Sequence, residues 1–192
     1  MNSKPILLAA LGALAINAAP ALAEGPDYDY LEFRYAETEL DAGSFDVEGD
    51  GFVANGSFEF AETVHLFVGY DTLEFDDNVE LDTLILGAGL AVPLSNRTDL
   101  VFRGGFVDAS FETPFFEDDD DGYFMSAGVR SMVTPDIELY GDWRRIDLDN
   151  SGDENATTIG GDFFVTDTLA VGPSITWIDD TTTWTLGAKL YF

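Results

Sequence analysis

The sequence predicts an all-β fold, a transmembrane antiparallel up-and-down β-barrel of ten strands, with eight as the alternative count. Three observations lead there. Segment after segment alternates apolar with small or polar residues, as a strand does when one face meets hydrocarbon and the other water. The clearest is Thr182–Phe192, where Trp184, Leu186, Ala188, Leu190 and Phe192 make one row and Thr185, Gly187, Lys189 and Tyr191 the other. The chain also opens with export-type features. Beyond that opening no run reaches the roughly 18 to 20 apolar residues of a membrane helix, and in lipid only helices and closed barrels satisfy their backbone.

The opening features are Lys4, the apolar run Ile6 to Ile16 and the small-x-small site Ala21-Leu22-Ala23, which together read as a cleaved signal peptide over 1–23. Residues 24–192 then form one domain. There is no cysteine, so stability must come from packing or from a closed hydrogen-bonded cylinder rather than from disulfides. Glycine at 19 positions and aromatics at 14% suit curved strands and interfacial girdles. The charge is extreme, 37 Asp plus Glu against 8 Lys plus Arg. Such a surface repels nucleic acid, excluding it as a partner, and makes divalent cations or a basic partner candidates.

Taken in order, Leu31, Phe33 and Tyr35 alternate with Glu32 and Arg34 in a first strand over about 28–37, followed by an acidic loop through Asp41, Asp46, Glu48 and Asp50. The second strand sets Phe52, Ala54, Gly56, Phe58 and Phe60 against Val53, Asn55, Ser57 and Glu59, and a tight turn at 61–63 leads to the third. There Val64, Leu66, Val68 and Tyr70 oppose His65, Phe67, Gly69 and Asp71, before an acidic loop at 75–80. Strand four, about 81–92, is apolar on both faces, with Leu84, Leu86, Ala88 and Leu90 toward lipid. Pro93 to Asn96 reads as a turn. Strand five opposes Leu100, Phe102, Gly104 and Phe106 to Val101, Arg103 and Gly105.

The most acidic loop is expected at 112–121. Strand six then sets Tyr123, Met125, Ala127 and Val129 against Ser126, Gly128 and Arg130, and Thr134-Pro135-Asp136 turns the chain. Strand seven alternates Ile137, Leu139, Gly141 and Trp143 with Glu138, Tyr140, Asp142 and Arg144, with a loop at 147–155. Strand eight opposes Ile159, Gly161 and Phe163 to Gly160, Asp162 and Phe164, turning at 166–168. Strand nine carries Leu169, Val171, Ile175 and Trp177 outward, and its Pro173 counts against a strand there unless a bulge accommodates it. Asp179 to Thr181 is a short loop into the final strand. Short connections thus alternate with longer acidic ones, the asymmetry of bacterial barrels.

This facing turns Arg34, Arg103, Arg130, Arg144 and Lys189 into the lumen together with Glu32, Glu59, Glu138, Asp142 and Asp162. Buried ions require partners, so the ten are expected to form one balanced charge network. A barrel of about this size is filled by side chains, whereas aqueous channels appear near 16 strands. A wide pore is therefore not expected, and a narrow one is allowed.

No catalytic constellation emerges, and no cofactor is expected. His65, the only histidine, faces inward at the short-turn end, where a general base meets no substrate. Three acidic stretches carry part of a calcium-loop pattern: Asp46-x-Glu48-x-Asp50-Gly51, Glu117-x-Asp119-x-Asp121-Gly122 and Asp147-x-Asp149-x-Ser151-Gly152. Alternate oxygens suit a hard cation, yet position twelve is Ser57, Gly128 or Thr158 rather than Glu. Asp46, Glu48, Asp50, Asp119, Asp121, Asp147 and Asp149 are thus weak metal candidates only.

The alternating terminal strand ending on Phe192 resembles that of bacterial outer-membrane barrels. The resemblance implies outer-membrane lipid and the barrel assembly machinery as partners, with Phe192 as assembly signal. The runs Val64-His65-Leu66-Phe67-Val68-Gly69-Tyr70, Ala127-Gly128-Val129-Arg130-Ser131 and Gly172-Pro173-Ser174-Ile175-Thr176-Trp177 look most like the barrel family that carries the name of a diffusible or quorum-sensing factor. The reading is a non-enzymatic outer-membrane barrel, an envelope structural protein or narrow pore with acidic extracellular loops. The alternatives are a surface binding or adhesion module holding cations or a basic partner through those loops and, third, an outer-membrane enzyme on lipid or peptide. The competing fold is a soluble, acidic periplasmic β-sandwich.

Overall fold

A computed structural model describes residues 25–41, 46–75 and 79–192; the expected signal peptide lies outside them. Ten strands follow in order: β1 (Tyr30–Asp41), β2 (Asp46–Ala61), β3 (Val64–Phe75), β4 (Val79–Ser95), β5 (Thr98–Glu112), β6 (Glu117–Thr134), β7 (Ile137–Leu148), β8 (Gly152–Phe164), β9 (Leu169–Ile178) and β10 (Thr181–Tyr191). Each pairs antiparallel with its sequence neighbours, and β1 pairs with β10 to close the barrel. Closure leaves no edge strand, so the wall satisfies its own backbone without water. The ten-strand count stands over eight, and a closed single-sheet barrel replaces the two-sheet sandwich.

Alternation decides the two faces. Leu31, Phe33, Phe58, Leu66, Leu86, Phe106, Met125, Leu139, Phe163 and Leu186 are exposed on the outside, while Arg34, His65, Val101, Arg130, Glu138, Asp162 and Lys189 are buried within. On β4 the outward apolar row runs from Leu84 to Leu94, and on β6 from Tyr123 to Val133. Each is about the 9 to 11 tilted residues that cross a bilayer.

Three expectations change. The acidic loops are largely strand: β2 begins at Asp46, β6 at Glu117 and β8 at Gly152. Among the described residues the far-end connections are only 113–116, 149–151 and 179–180. Backbone pairing continues past the membrane because antiparallel neighbours keep satisfying each other's amides after the lipid ends, whereas acidic composition had suggested coil. Pro93 lies in β4 opposite Asp99 at an irregularity between Pro93 and Ser95, and the turn itself is 96–97. Pro173 needs no bulge. β9 keeps its register to β10 through Pro173. On the β8 side the pairing lapses between Gly160–Ser174 and Phe163–Val171 and resumes in step, which accommodates the missing N–H.

The register also assembles something no single segment contains. Glu37 pairs with Asp50, Asp50 with Glu74, Glu74 with Glu80, Glu80 with Glu112 and Glu112 with Glu117. Six carboxylates therefore run side by side across β1 to β6 on the outer face, beyond the lipid-facing rows.

Candidate functional site

The short-turn end of the lumen is filled by side chains from many strands. On neighbouring β6 and β7, Arg130 donates from Nε to Glu138 Oε1 at 2.5 Å and from Nη2 to Oε2 at 3.0 Å. The Tyr191 hydroxyl donates to the same carboxylate at 3.0 Å. Glu138 is 0% exposed, and a buried carboxylate is tolerated only with this degree of pairing. Above the guanidinium lies Tyr28, 4.6 Å from Arg130 Cζ to the ring centroid. Its other face stacks on His65, with centroids 4.5 Å apart and planes 19° apart, and its hydroxyl donates to Asp99 at 3.0 Å.

Tyr28 belongs to the segment before β1, not to the strand expected to begin there. That segment is fastened at Asp29, whose side chain accepts from the Glu59 amide at 2.6 Å and whose carbonyl accepts from the Phe192 amide at 3.2 Å. The N-terminal segment thus folds under the barrel and inserts one aromatic ring into its mouth.

A second polar cluster sits higher. Lys189 donates to Asp162 at 2.8 Å, Arg34 Nη2 donates to the other oxygen of Asp162 at 2.9 Å, and Arg34 Nε donates to Glu32 at 2.7 Å. Asn55 completes Glu32 at 2.7 Å, and Arg34 Nη1 reaches the Gly172 carbonyl at 2.9 Å beside the lapse in the β8–β9 ladder. Gly172 has to be glycine for this, since a Cβ there would strike the Gly161 carbonyl.

The ten expected lumen residues are therefore split. Arg130 and Glu138 form one group, and Glu32, Arg34, Asp162 and Lys189 another. Asp142 is 4.0 Å from Arg144, at the limit of an ion pair. Arg103 has no carboxylate within ion-pair distance among the described residues; it donates to His65 Nε2 at 3.4 Å and lies 5.7 Å over Phe67. Glu59 sits at the short-turn rim and makes no ion pair among the described residues. Sequence reasoning paired by parity, but parity does not give height along the axis. It also missed Tyr28, Asp99 and Asn55.

The weak metal candidates are pulled apart. Glu48, Asp50, Asp119 and Asp121 lie along strands, and Asp46 opens β2. Among the described residues no three His, Asp or Glu side chains, these candidates included, are gathered so as to hold one metal ion. Asp147 ends in β7 and Asp149 in the following turn. Instead Asp120, which sequence reasoning passed over, holds that turn, accepting from the Asn150 amide and side chain at 3.0 and 3.1 Å and from the Ser151 amide at 2.8 Å.

Above the second cluster the lumen opens into a cavity of about 320 Å³ whose lining reaches Leu73, Leu81, Ile146 and Ile178, close to the far-end turns. The arrangement is a cup: closed by paired charges and rings at the short-turn end and open toward the other.

A closed barrel of ten alternating antiparallel strands is the architecture to be compared with known proteins. Residues 6–192 match the model of the outer membrane protein β-barrel domain. The chain belongs to this family. It is thus a bacterial outer-membrane barrel. No curated protein sequence matches it. Among solved structures it is similar to the NanC porin, at 6% identity over 84% of this chain and 100% of that one with a TM-score of 0.51. It is also similar to the KdgM porin, at 9% identity over 84% and 99% with a TM-score of 0.48. The third is Ail, the attachment invasion locus protein of Yersinia pestis, at 13% identity over 87% and 100% with a TM-score of 0.44. At such identities the likeness concerns the fold.

Proposed function

We propose that this outer-membrane barrel is a non-enzymatic envelope protein whose lumen is sealed toward the periplasm, passing no more than a narrow leak. The observation that carries the reading is the layer of Tyr28, His65, Arg130, Glu138 and Tyr191, in which every ring or charge is held by another across the bore. His65 is 1% exposed and covered by Tyr28, which supports structure over general-base chemistry, since a base must reach its substrate. Outer-membrane lipid and the barrel assembly machinery, the latter through Phe192 on the exposed outer row, are the partners this reading carries. The finer resemblance to the barrels named for a diffusible factor stays part of the proposal.

Single-channel recording of the refolded protein in planar bilayers tests it. Wild type is expected to show small or no current, and Tyr28→Ala a larger one because the ring that fills the mouth is gone. Wild-type currents of wide-porin size would overturn the seal.

The six-carboxylate row on β1 to β6 favours a second reading, a surface that holds cations or a basic partner. Its acids come from strand ends rather than loops, and like charges directly opposite one another repel unless countered.

A further inference from the structure

We infer that the cup is a binding pocket for a small amphipathic carboxylate entering from outside the cell. The inference goes beyond the sealed-barrel reading, and its test measures binding rather than current.

Polarity inverts along the strands. Within the membrane the outer face is apolar and the inner face polar. Beyond it the outer face carries Asp50, Glu74, Glu80 and Glu112, while Leu73 and Leu81 on β3 and β4, with Ile146 on β7 and Ile178 on β9, turn inward beside Thr83, Thr158, Thr176 and Thr183. A wall standing in water that keeps apolar side chains inside is built like a soluble ligand-binding barrel, not like a water channel.

The floor of the cavity supplies charge. Its lining holds Arg34, Arg103, Arg130, Arg144 and Lys189 against Glu32, Asp71 and Asp142. With Glu138 and Asp162 directly behind the lining, these five cations meet five carboxylates, so the floor is charge-balanced inside a chain of net charge −29. Arg34, Arg130 and Lys189 are committed to Glu32, Glu138 and Asp162. Arg103 and Arg144 make no close ion pair among the described residues, although Asp71 lies within electrostatic reach of Arg144. Arg144 approaches Asp142 only at 4.0 Å, and its Nε has no hydrogen-bond partner among the described residues.

Both guanidiniums rest on rings, Arg103 on Phe67 at 5.7 Å and Arg144 on Phe124 at 5.5 Å. The two rings meet edge to face at 5.8 Å. Guanidinium forks placed beside an aromatic pair match a carboxylate that carries an apolar body. The head would take the terminal guanidinium nitrogens of Arg103 and Arg144, since Arg103 Nε is given to His65 and Arg144 Nε is enclosed, and the body the apolar side chains above. The acidic exterior argues for a ligand with a single small charge, since a polyanion would be repelled at the rim.

Phenylacetate titrated into ¹⁵N-labelled, refolded full-length protein in detergent micelles tests this, with phenylacetamide as the neutral isostere in the same micelles. Saturable shifts at Phe67, Phe124 and Arg144 are expected. Affinity should fall about tenfold or more for the amide and for Arg144→Gln, because a charge-assisted contact is lost, with partial recovery in Arg144→Lys. Asp167→Asn, in the exposed connection between β8 and β9, should bind as wild type does. Equal binding of acid and amide by wild type overturns the inference without any variant having to fold. Absence of saturable binding, or unchanged affinity in a folded Arg144→Gln, overturns it as well.

Discussion

Glu138 shows how much one residue can hold in this lumen. Its carboxylate takes two donors from Arg130 and one from Tyr191, with no exposure to water. Replacing a buried ion pair by apolar groups can be nearly neutral, but removing one partner leaves an uncompensated charge. Glu138→Ala should therefore destabilise the barrel by about 3–5 kcal/mol, read as a lower urea midpoint of the refolded protein. The double variant with Arg130→Ala should recover part of the loss. If the single variant unfolds where wild type does, Arg130 has another partner and the sealing layer is not held as described. The residue identities were legible in the sequence, for parity placed Arg130 and Glu138 inside together. Their pairing was not, because it depends on the turn at 135–136 setting Met132 opposite Glu138 and leaving Arg130 one row higher.

At the scale of elements, the far-end hairpins depend on side chains as well as ladders. The 149–151 turn bends back through Gly152, whose φ of 90° is a conformation that glycine adopts freely. It is tied to β6 by Asp120, which lies beyond the lipid-facing row ending at Tyr123. Hydrogen bonds from Ser151 and Asn150 hold the Asp120 carboxyl below the usual carboxylate range. A lowered pKa in the folded state means that the tie is complete above the ordinary value of 3.8 and is lost as pH falls through the lowered one. The protection factors of the Asn150 and Ser151 amides, taken relative to intrinsic exchange at each pH, should fall on acidification below that value in wild type. In Asp120→Asn, which has no charge to titrate, the step should vanish. An unaltered step in that variant would assign the titration to another acid. In sequence Asp120 looked like one more residue of an acidic run, and its neighbours Asp119 and Asp121 fitted a ligand pattern better. The strand reversed that order by turning the alternate residues outward and Asp120 toward the turn.

For the whole molecule, the opposing trend is charge. The lumen charges are largely paired and shielded, whereas the acids of the outer wall face one another along a row with no base between them. Screening acts on exposed charges and little on buried ones, so salt should relieve the repulsion without opening the lumen. The unfolding midpoint in detergent should rise when sodium chloride is raised from about 10 mM, where the Debye length is near 30 Å, to the 0.1 M range, where it is near 10 Å. A midpoint that falls with salt would mean that exposed ion pairs such as Arg145–Asp153, at 2.9 Å, outweigh the acidic row.

The sequence by itself determined the all-β class, the ten segments, which residues face lipid and which the lumen, and the bacterial outer-membrane location. All of these follow from a period of two repeated along the chain, and period two is a local property. Only the tertiary structure decided that Tyr28 seals the bore, that Arg103 and Arg144 make no close ion pair while their neighbours pair, that the acids of six separate strands line up, and that polarity inverts above the membrane. Each of these depends on height along the barrel axis. That height is set by register summed from strand to strand around a closed cylinder, a quantity that no single segment contains.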